Sequence, residues 1–235
     1  MLKKMLKMSL LSATLLLGAN AASLNIKAME NLPILKNNNV VVSDTLDLGD
    51  VILVKSVAGA NKQPFQFYIS KDFKVIVMGQ GLDATTAAPI KFPISAKMVK
   101  GKEAFSYGTG KEVLYVFTDP DCPYCKNFEK MIPALKDKYT FKIFLLALPM
   151  HPKAPAMIDY ILNADNGNES FAKLLEVANG TANYGNNKMT VKKEAEIKRI
   201  VAENKAVATS IGLEGTPTVL DKDMKMVRWD LLKAN

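Results

Sequence analysis

The sequence is poor in the side chains that build metal sites and disulfide frameworks. Its 235 residues include two cysteines, one histidine and one tryptophan. A structural zinc site needs about four ligands, mostly cysteine and histidine, so this supply argues against one. The chain is also not a small domain that depends on disulfides for its stability, because its length and its hydrophobic content of 49% allow a sizeable core.

Arginine is scarce as well, although the chain is basic. Arg199 and Arg228 are the only arginines among 31 basic residues, and the formal net charge is +8. The lysines are scattered, whereas a nucleic-acid-binding face carries a basic stripe or patch. We therefore interpret the charge as solvated surface and expect no nucleic acid among the partners.

Beyond the first 22 residues, no stretch of the sequence is apolar over the ~20 residues that a membrane-spanning helix needs. Near the N-terminus, a lysine-containing segment (3–7) is followed by a short apolar run, Met8–Leu17, and then by Ala-Asn-Ala at 19–21. This order is typical of a secretory signal peptide. We expect cleavage after Ala21 or Ala22 and export of the remaining chain; an uncleaved anchor is the alternative.

The two cysteines lie in one short motif. Cys122 and Cys125 follow an apolar run, Val113–Phe117, and precede a helical pattern. A C-x-x-C pair where a strand gives way to a helix is typical of a redox site. Its alternatives are a zinc half-site and an inert bridge, but a bridge across so small a loop constrains the unfolded chain little. We expect a redox-active Cys122–Cys125 disulfide, with no metal and no separate cofactor.

The spacing predicts a role for each residue of the motif. Where a helix begins near Cys122, free backbone N–H groups and the helix dipole stabilise a thiolate. Pro123 suits the first helical position, which needs no N–H donor. Cys125 lies one turn along, where it can close a disulfide. We expect Cys122 to be the exposed attacking sulfur, Cys125 the buried resolving sulfur, and Tyr124 a residue that tunes the site or contacts substrate, unless it is simply an exposed aromatic.

Two distant positions bear on this site. Thr216-Pro217 opens a strand, where proline is ordinarily a trans turn residue. A thioredoxin-like topology would bring this strand beside Cys122, and the backbone of Thr216 could then pair with an extended substrate peptide. His151, in the loop after the second strand, is expected to be solvated or packed rather than catalytic.

The chain after the signal peptide divides into two units. Residues 40–78 show four short strand signals within a β-rich unit of ~65 residues, whose strand edges favour pairing with a second chain. Prolines and glycines mark a linker in which Ile94–Phe105 could form a helix. The predicted boundaries are 1–22 for the signal peptide, 23–87 for the N-terminal dimerisation domain, 88–110 for the linker and 111–235 for the catalytic domain.

The second unit alternates strands and helices. Two buried strands are predicted at Val113–Phe117 and Thr140–Leu148, joined by a helix that Pro133 should kink. Three helices follow over 153–212, then a hairpin-like strand pair at 216–229 and about one turn of helix. This order is thioredoxin-like, with a helical insertion, and the predicted fold class is mixed α/β (α+β).

The motifs resemble a known family. F-T-D-P-D-C-P-Y-C-K-N-F at 117–128, together with G-T-P at 215–217, resembles the periplasmic thiol–disulfide isomerases of the DsbC/DsbG type. The resemblance implies a thioredoxin-like catalytic domain behind a cystatin-like dimerisation domain, in a V-shaped homodimer. It also implies a nucleophile at Cys122, a resolving thiol at Cys125 and a cis-proline at Pro217.

The resemblance further implies partners. These are unfolded or misoxidised exported proteins bound in a cleft, and a membrane reductant of the DsbD type that keeps the cysteines reduced. The dipeptide Pro123-Tyr124 matches the DsbG-like branch. The chain departs from DsbC-like members in lacking a second, structural cysteine pair, with Asn163 at one such position, and its last helix is shorter.

Two classes of function stay open on the sequence. One is a periplasmic thiol–disulfide oxidoreductase, read here as an isomerase or reductase; a DsbA-like oxidase and a reductase of oxidised single cysteines are the alternatives, because C-x-x-C does not fix the direction of electron flow. The other is a periplasmic holdase chaperone that binds unfolded chains, in which the cysteines are secondary.

Overall fold

The computed structural model describes residues 25–85, 87 and 89–234. The predicted signal peptide, 1–22, lies outside the described residues. The chain divides into two compact units between Phe92 and Pro93. Across the described ranges, no helix combines the length and the apolar character needed to cross a bilayer.

The first unit is a four-stranded antiparallel sheet preceded by two short helices. Its elements are α1 (Ile26–Glu30), α2 (Pro33–Asn37), β1 (Val41–Asp47), β2 (Val51–Ala58), β3 (Gln63–Ser70) and β4 (Ile76–Met78). The strands pair in chain order, which leaves β1 and β4 at the two edges. Alternate residues of β2 and β3 form the core with Met29 of α1, because side chains two apart share a face: Ile52, Val54, Phe67 and Ile69.

The second unit is built on a sheet of order β5-β7-β6-β8. Its elements are α3 (Ala96–Val99), β5 (Phe105–Tyr107), β6 (Glu112–Thr118), α4 (Pro123–Glu129), α5 (Ile132–Leu135), β7 (Tyr139–Leu145), α6 (Ala154–Leu162), α7 (Gly167–Asn179), α8 (Val191–Ser210) and β8 (Thr218–Leu220). Strands β6 and β7 are parallel, and both edge strands run antiparallel to their neighbours. The helices α6 to α8 lie between β7 and β8 in the chain, which confirms the predicted mixed α/β fold with a helical insertion.

Both faces of this sheet are covered, as the apolar sequence of β6 predicts. Leu114 and Val116 pack with the helices α4 to α7, whereas Tyr115 and Phe117 pack with α3 and the end of α8. Side chains alternate between faces along a strand. Thr118, the last residue of β6, therefore points to the same side as Val116, toward α4.

The helix after the cysteines is broken rather than kinked. Helix α4 ends at Glu129 and α5 begins at Ile132, with Pro133 in its first turn. Proline has no N–H donor, and its ring crowds the carbonyl four residues earlier, which here belongs to Glu129. The turn between the two helices removes that conflict, while Phe128 and Ile132 remain fully buried.

Most of the segment predicted as a linker, 88–110, belongs to the second unit. Residues from Pro93 onward belong to the second unit, and β5 pairs with β7 inside the region expected to connect the units. The helix expected at Ile94–Phe105 is limited to the four residues of α3, and Gly101 follows it with a φ of +76°. Fully buried Asn204 of α8 then fixes the segment, because it donates to the carbonyl of Lys102 and accepts from a backbone N–H of β7, both at 2.8 Å.

The predicted C-terminal hairpin is reduced to one strand. β8 pairs with β6, but residues 224–229 add only an isolated bridge between Leu220 and Met226. The Asp221 carboxylate accepts backbone N–H groups two and four residues further on, which closes a tight turn and ends the regular pairing. The chain continues into a 3-10 turn at Trp229–Leu231.

Candidate active site

The two cysteines lie where β6 gives way to α4. Cys122 is the N-cap residue of α4, and Pro123 occupies the first turn, as the sequence predicted. Cys125 follows one turn along the helix. The cysteines are unbonded in this structure, and Cys125 is 0% exposed against 5% for Cys122.

Cys122 is less exposed than the sequence predicted, because the loop before β8 covers it. Its Sγ lies 3.7 Å from the backbone oxygen of Thr216, to which the thiol donates a hydrogen bond. The Thr216–Pro217 peptide bond is cis. Pairing of Thr218 with Phe117 of β6 brings this loop to the cysteines. The structure therefore brings Cys122 into contact with Thr216, 94 residues away in sequence. Cys125 and Pro217 lie close by on the same two segments, while Tyr124 stands outward at 69% exposure.

The Cys125 thiol is enclosed by protein. Its Sγ accepts the backbone N–H of Asp119 at 3.4 Å. Burial raises the pKa of Cys125 to about 12, and the Asp119 N–H and the Thr118 hydroxyl oppose part of that rise. At neutral pH this sulfur is a thiol, so it needs a proton acceptor before it can act as a nucleophile.

A buried carboxylate, Asp119, joins the cysteine segment to the loop after β7. Its Oδ1 accepts the N–H of Asp121 at 2.9 Å; its Oδ2 accepts the N–H of Leu148 at 2.8 Å and lies 2.9 Å from Nδ1 of His151. Its backbone carbonyl accepts the N–H of Cys122 at 3.0 Å. His151 is thus a packed loop residue, one of the two predicted outcomes. We assign Asp119 a positioning role, since it holds the peptide that carries Cys122.

A second buried acid, Glu129, lies one helical turn beyond Cys125. Its Oε1 accepts a hydrogen bond from the Thr118 hydroxyl at 2.7 Å, and its Oε2 has no hydrogen-bond partner among the residues that the structure describes. Burial raises the pKa of Glu129 to about 8, and the Thr118 hydrogen bond opposes this most strongly. The carboxyl group is therefore largely protonated at neutral pH, unlike an ordinary surface glutamate.

The sequence alone assigned no structural role to either acid, although Asp119 lies beside the cysteine motif. For Glu129 a signal existed: it falls four residues after Cys125, on the same helical stripe as Phe128 and Ile132, and a glutamate on a buried stripe requires an explanation. For Asp119 the partner His151 is 32 residues away, and only the pairing of β6 with β7 brings them together.

The described residues offer thiol chemistry but no metal centre: within the ranges that the structure covers, no three histidine, cysteine, aspartate or glutamate side chains are grouped as ligands. What the geometry does provide is one sulfur at the N-terminal end of α4, a second sulfur one turn behind it, and a backbone segment at 216–217 beside the first. Such an arrangement can form a mixed disulfide with an extended peptide and then resolve it.

Residues 105–226, just over half of the chain, match the family model of the thioredoxin-like domain. Among solved structures, the chain is similar to DsbG of Helicobacter pylori (14% identity, 83% of this chain and 98% of that chain, TM-score 0.40). It is also similar to the thiol–disulfide exchange protein α-DsbA2 of Wolbachia pipientis (11%, 57% and 86%, 0.47) and to ScsC of Proteus mirabilis in a compact conformation (18%, 60% and 77%, 0.46). No curated protein matches the sequence.

Proposed function

The chain belongs to the thioredoxin-like domain family, and we propose that it is a thiol–disulfide oxidoreductase acting on disulfides of other exported proteins. The observation that carries this proposal is the asymmetry of the cysteine pair. Cys122 caps α4 beside the Thr216 backbone, whereas Cys125 is enclosed behind it. Cys122 is thus placed to react with a substrate, and Cys125 is placed to displace the substrate from Cys122.

The reaction follows from that placement. The Cys122 thiolate attacks one sulfur of a substrate disulfide, so that a mixed disulfide forms and the other substrate sulfur leaves as a thiolate. The Cys125 thiolate then attacks Sγ of Cys122; the Cys122–Cys125 bond forms, and the second substrate sulfur leaves as a thiolate that takes up a proton. The substrate gains two electrons and the cysteine pair loses two.

A polypeptide substrate suits the surroundings of Cys122. The Thr216 backbone lies within contact of its sulfur, where an extended chain can pair with it. Two exposed apolar side chains stand on neighbouring segments: Tyr124 in the motif and Met150 beside His151, each 69% exposed. Unfolded or misoxidised proteins supply the apolar, extended segments that such a surface accepts.

Within this class we propose a periplasmic isomerase or reductase of the DsbC/DsbG type, kept reduced by a membrane reductant of the DsbD type. A homodimer through the first unit is part of the proposal. Support for it comes from the edge strands β1 and β4, where Val41, Val77 and Met78 are exposed, because open apolar edges favour pairing with a second chain.

The experiment is reactivation of scrambled ribonuclease by the purified protein and by Cys122→Ala. The proposal predicts that the variant loses reactivation while it keeps its thermal stability. Retained reactivation would overturn the enzyme proposal. The holdase chaperone would then remain as the function, and the exposed side chains of Tyr124 and Met150 favour it. The measurement for it is whether Cys122→Ala suppresses the aggregation of an unfolded protein.

Alkylation trapping of the cysteine pair in cells separates the alternatives within the class. A largely reduced pair supports the isomerase or reductase, whereas a largely oxidised pair supports a DsbA-like oxidase. A Val191→Ala variant serves as the control, since Val191 is 85% exposed on α8, outside the cysteine motif, and the change removes no sulfur.

A further inference from the structure

A cavity of about 360 Å³ lies in the second unit, between α8 and the segment that continues β7. Its lining includes no residue of the cysteine motif. We propose that this cavity binds an apolar carboxylate, such as a fatty acid of about eight to ten carbons, with Lys205 as the partner of the carboxylate. The inference goes beyond the proposed function, because no step of thiol–disulfide exchange uses the cavity.

The cavity arises because β5 is shorter than β7. Strand β5 pairs with β7 only as far as Ile143, whereas β7 extends to Leu145. Helix α8 covers this edge beyond β5, where the side chain of Asn204 accepts the N–H of Leu145 at 2.8 Å. Close to that contact, both the strand and the helix carry a small side chain, Ala147 and Ala208. Small side chains facing each other leave space that a larger pair would fill.

The walls of the cavity are apolar. Leu145 and Leu146 are buried, and Leu148, Val201 and Leu213 are half-buried. At about 30 Å³ for each carbon, the volume of one water molecule, about eight to ten carbons would fill most of the space. The four carbons of a leucine side chain would fill only about a third of it on the same measure. The size of the cavity therefore favours a small apolar molecule over one side chain of a polypeptide.

The exposed side of the cavity carries a cation and a hydroxyl group. Lys205 and Thr209 lie four residues apart on α8, hence on one side of the helix, and both line the cavity. Lys193, Lys198 and Arg199 of the same helix each pair with a glutamate. Lys205 pairs with no acid in the part of the chain that the structure describes, so its ammonium group is available to an anion.

The backbone adds a further donor. The N–H of Leu145 points toward α8, and the N–H of Leu146 points the opposite way, to the carbonyl of Thr118 at 2.9 Å. Because these directions alternate along an extended chain, the N–H of Ala147 again points toward α8. It has no hydrogen-bond partner among the described residues.

This combination of groups selects the charge of the ligand. An ammonium group, a hydroxyl and a backbone N–H are all donors that a carboxylate can accept. An apolar amine would instead place a second cation beside Lys205. The formal net charge of +8 also favours the approach of an anion.

The test is calorimetric titration of the purified protein with sodium decanoate, together with NMR of the isotopically labelled protein. One decanoate should bind per chain, and the backbone resonances of Ala147, Leu148 and Thr209 should shift. Decylamine, which has the same length and the opposite charge, should bind at least about 5-fold more weakly, the ratio that an exposed ion pair supplies.

Two variants change the charge and the space separately. Lys205→Glu should weaken decanoate binding by about 5-fold or more, and its position on the surface of α8 leaves the core unchanged. Ala208→Leu should weaken it by about 10-fold, because the added carbons occupy the cavity. Lys192→Glu is the matched control, since Lys192 is exposed on the same helix and does not line the cavity. Cys122→Ala should bind decanoate as the wild type does, which separates this inference from the proposed function.

Three results would overturn the inference. One is the absence of decanoate binding, or an equal affinity in the wild type and Lys205→Glu. Another is tighter binding of a peptide of leucines and glutamates at the same resonances, which would assign the cavity to a polypeptide. The third is self-association that Ala208→Leu abolishes, which would assign the cavity to a second copy of the chain.

Discussion

Glu129→Gln should flatten the dependence of stability on pH. The pKa of Glu129 is about 8 in the folded protein against an ordinary value of 4.5. Since the folded state raises the pKa, the stabilisation is complete below about pH 4.5 and is lost as the pH rises to about 8. A difference of about 3.5 pKa units corresponds to about 5 kcal/mol. That is a large part of the 5–15 kcal/mol that stabilises a typical domain.

The assay is urea denaturation at pH 5, 6, 7 and 8, followed by tryptophan fluorescence. Trp229 is the single tryptophan and its ring lies 5.5 Å from that of Phe128 on α4, so the signal reports the unit that contains Glu129. The free energy of unfolding of the wild type should fall by several kcal/mol more across this range than that of Glu129→Gln. Glu103→Gln should follow the wild type, since Glu103 pairs with Lys142 at 2.8 Å and lies outside the cysteine segment. Parallel curves for the wild type and Glu129→Gln, within about 1 kcal/mol, would show that burial does not raise the pKa of Glu129.

Three further predictions concern other parts of the chain. Asp119→Ala leaves the N–H groups of Asp121 and Leu148 unpaired and should lower the free energy of unfolding by about 2–4 kcal/mol in the same assay; a wild-type value would contradict its positioning role. Asn204→Ala removes two buried hydrogen bonds and should lower the free energy of unfolding by a similar amount in urea denaturation; an unchanged value would show that these bonds do not stabilise the segment. Val77→Lys on β4 should convert the proposed dimer to monomer by sedimentation velocity; an unchanged mass would rule out this edge as the interface.

Local patterns predicted much of the fold. The three helices predicted over 153–212 are present as α6 to α8, because each carries apolar residues at helical spacing and α8 is followed by Gly212 in the left-handed conformation, with a φ of +66°. The three residues of β5 were missed, since so short a strand has no period of its own and exists only through pairing with β7.

The residues of the site also fall into two groups: those that local spacing predicts and those that depend on contacts between distant segments. Cys122, Cys125 and Pro123 could be placed from spacing alone, and Thr216-Pro217 only from the fold that the motif indicates. The contact of Asp119 with His151 depends on pairing between distant strands, which no local pattern contains. Glu129 was missed for a different reason: its position on the buried stripe was visible, but its charge argued for the surface.

We propose that Cys122 is the sulfur that attacks substrates and Cys125 the sulfur that resolves the mixed disulfide. The most direct measurement compares Cys125→Ala with Cys122→Ala after reaction with scrambled ribonuclease, followed by acid quenching and peptide mapping. Cys125→Ala should accumulate ribonuclease joined through Cys122, whereas Cys122→Ala should accumulate none. Ribonuclease joined to Cys125 in the Cys122→Ala variant, or no adduct in either, would contradict it.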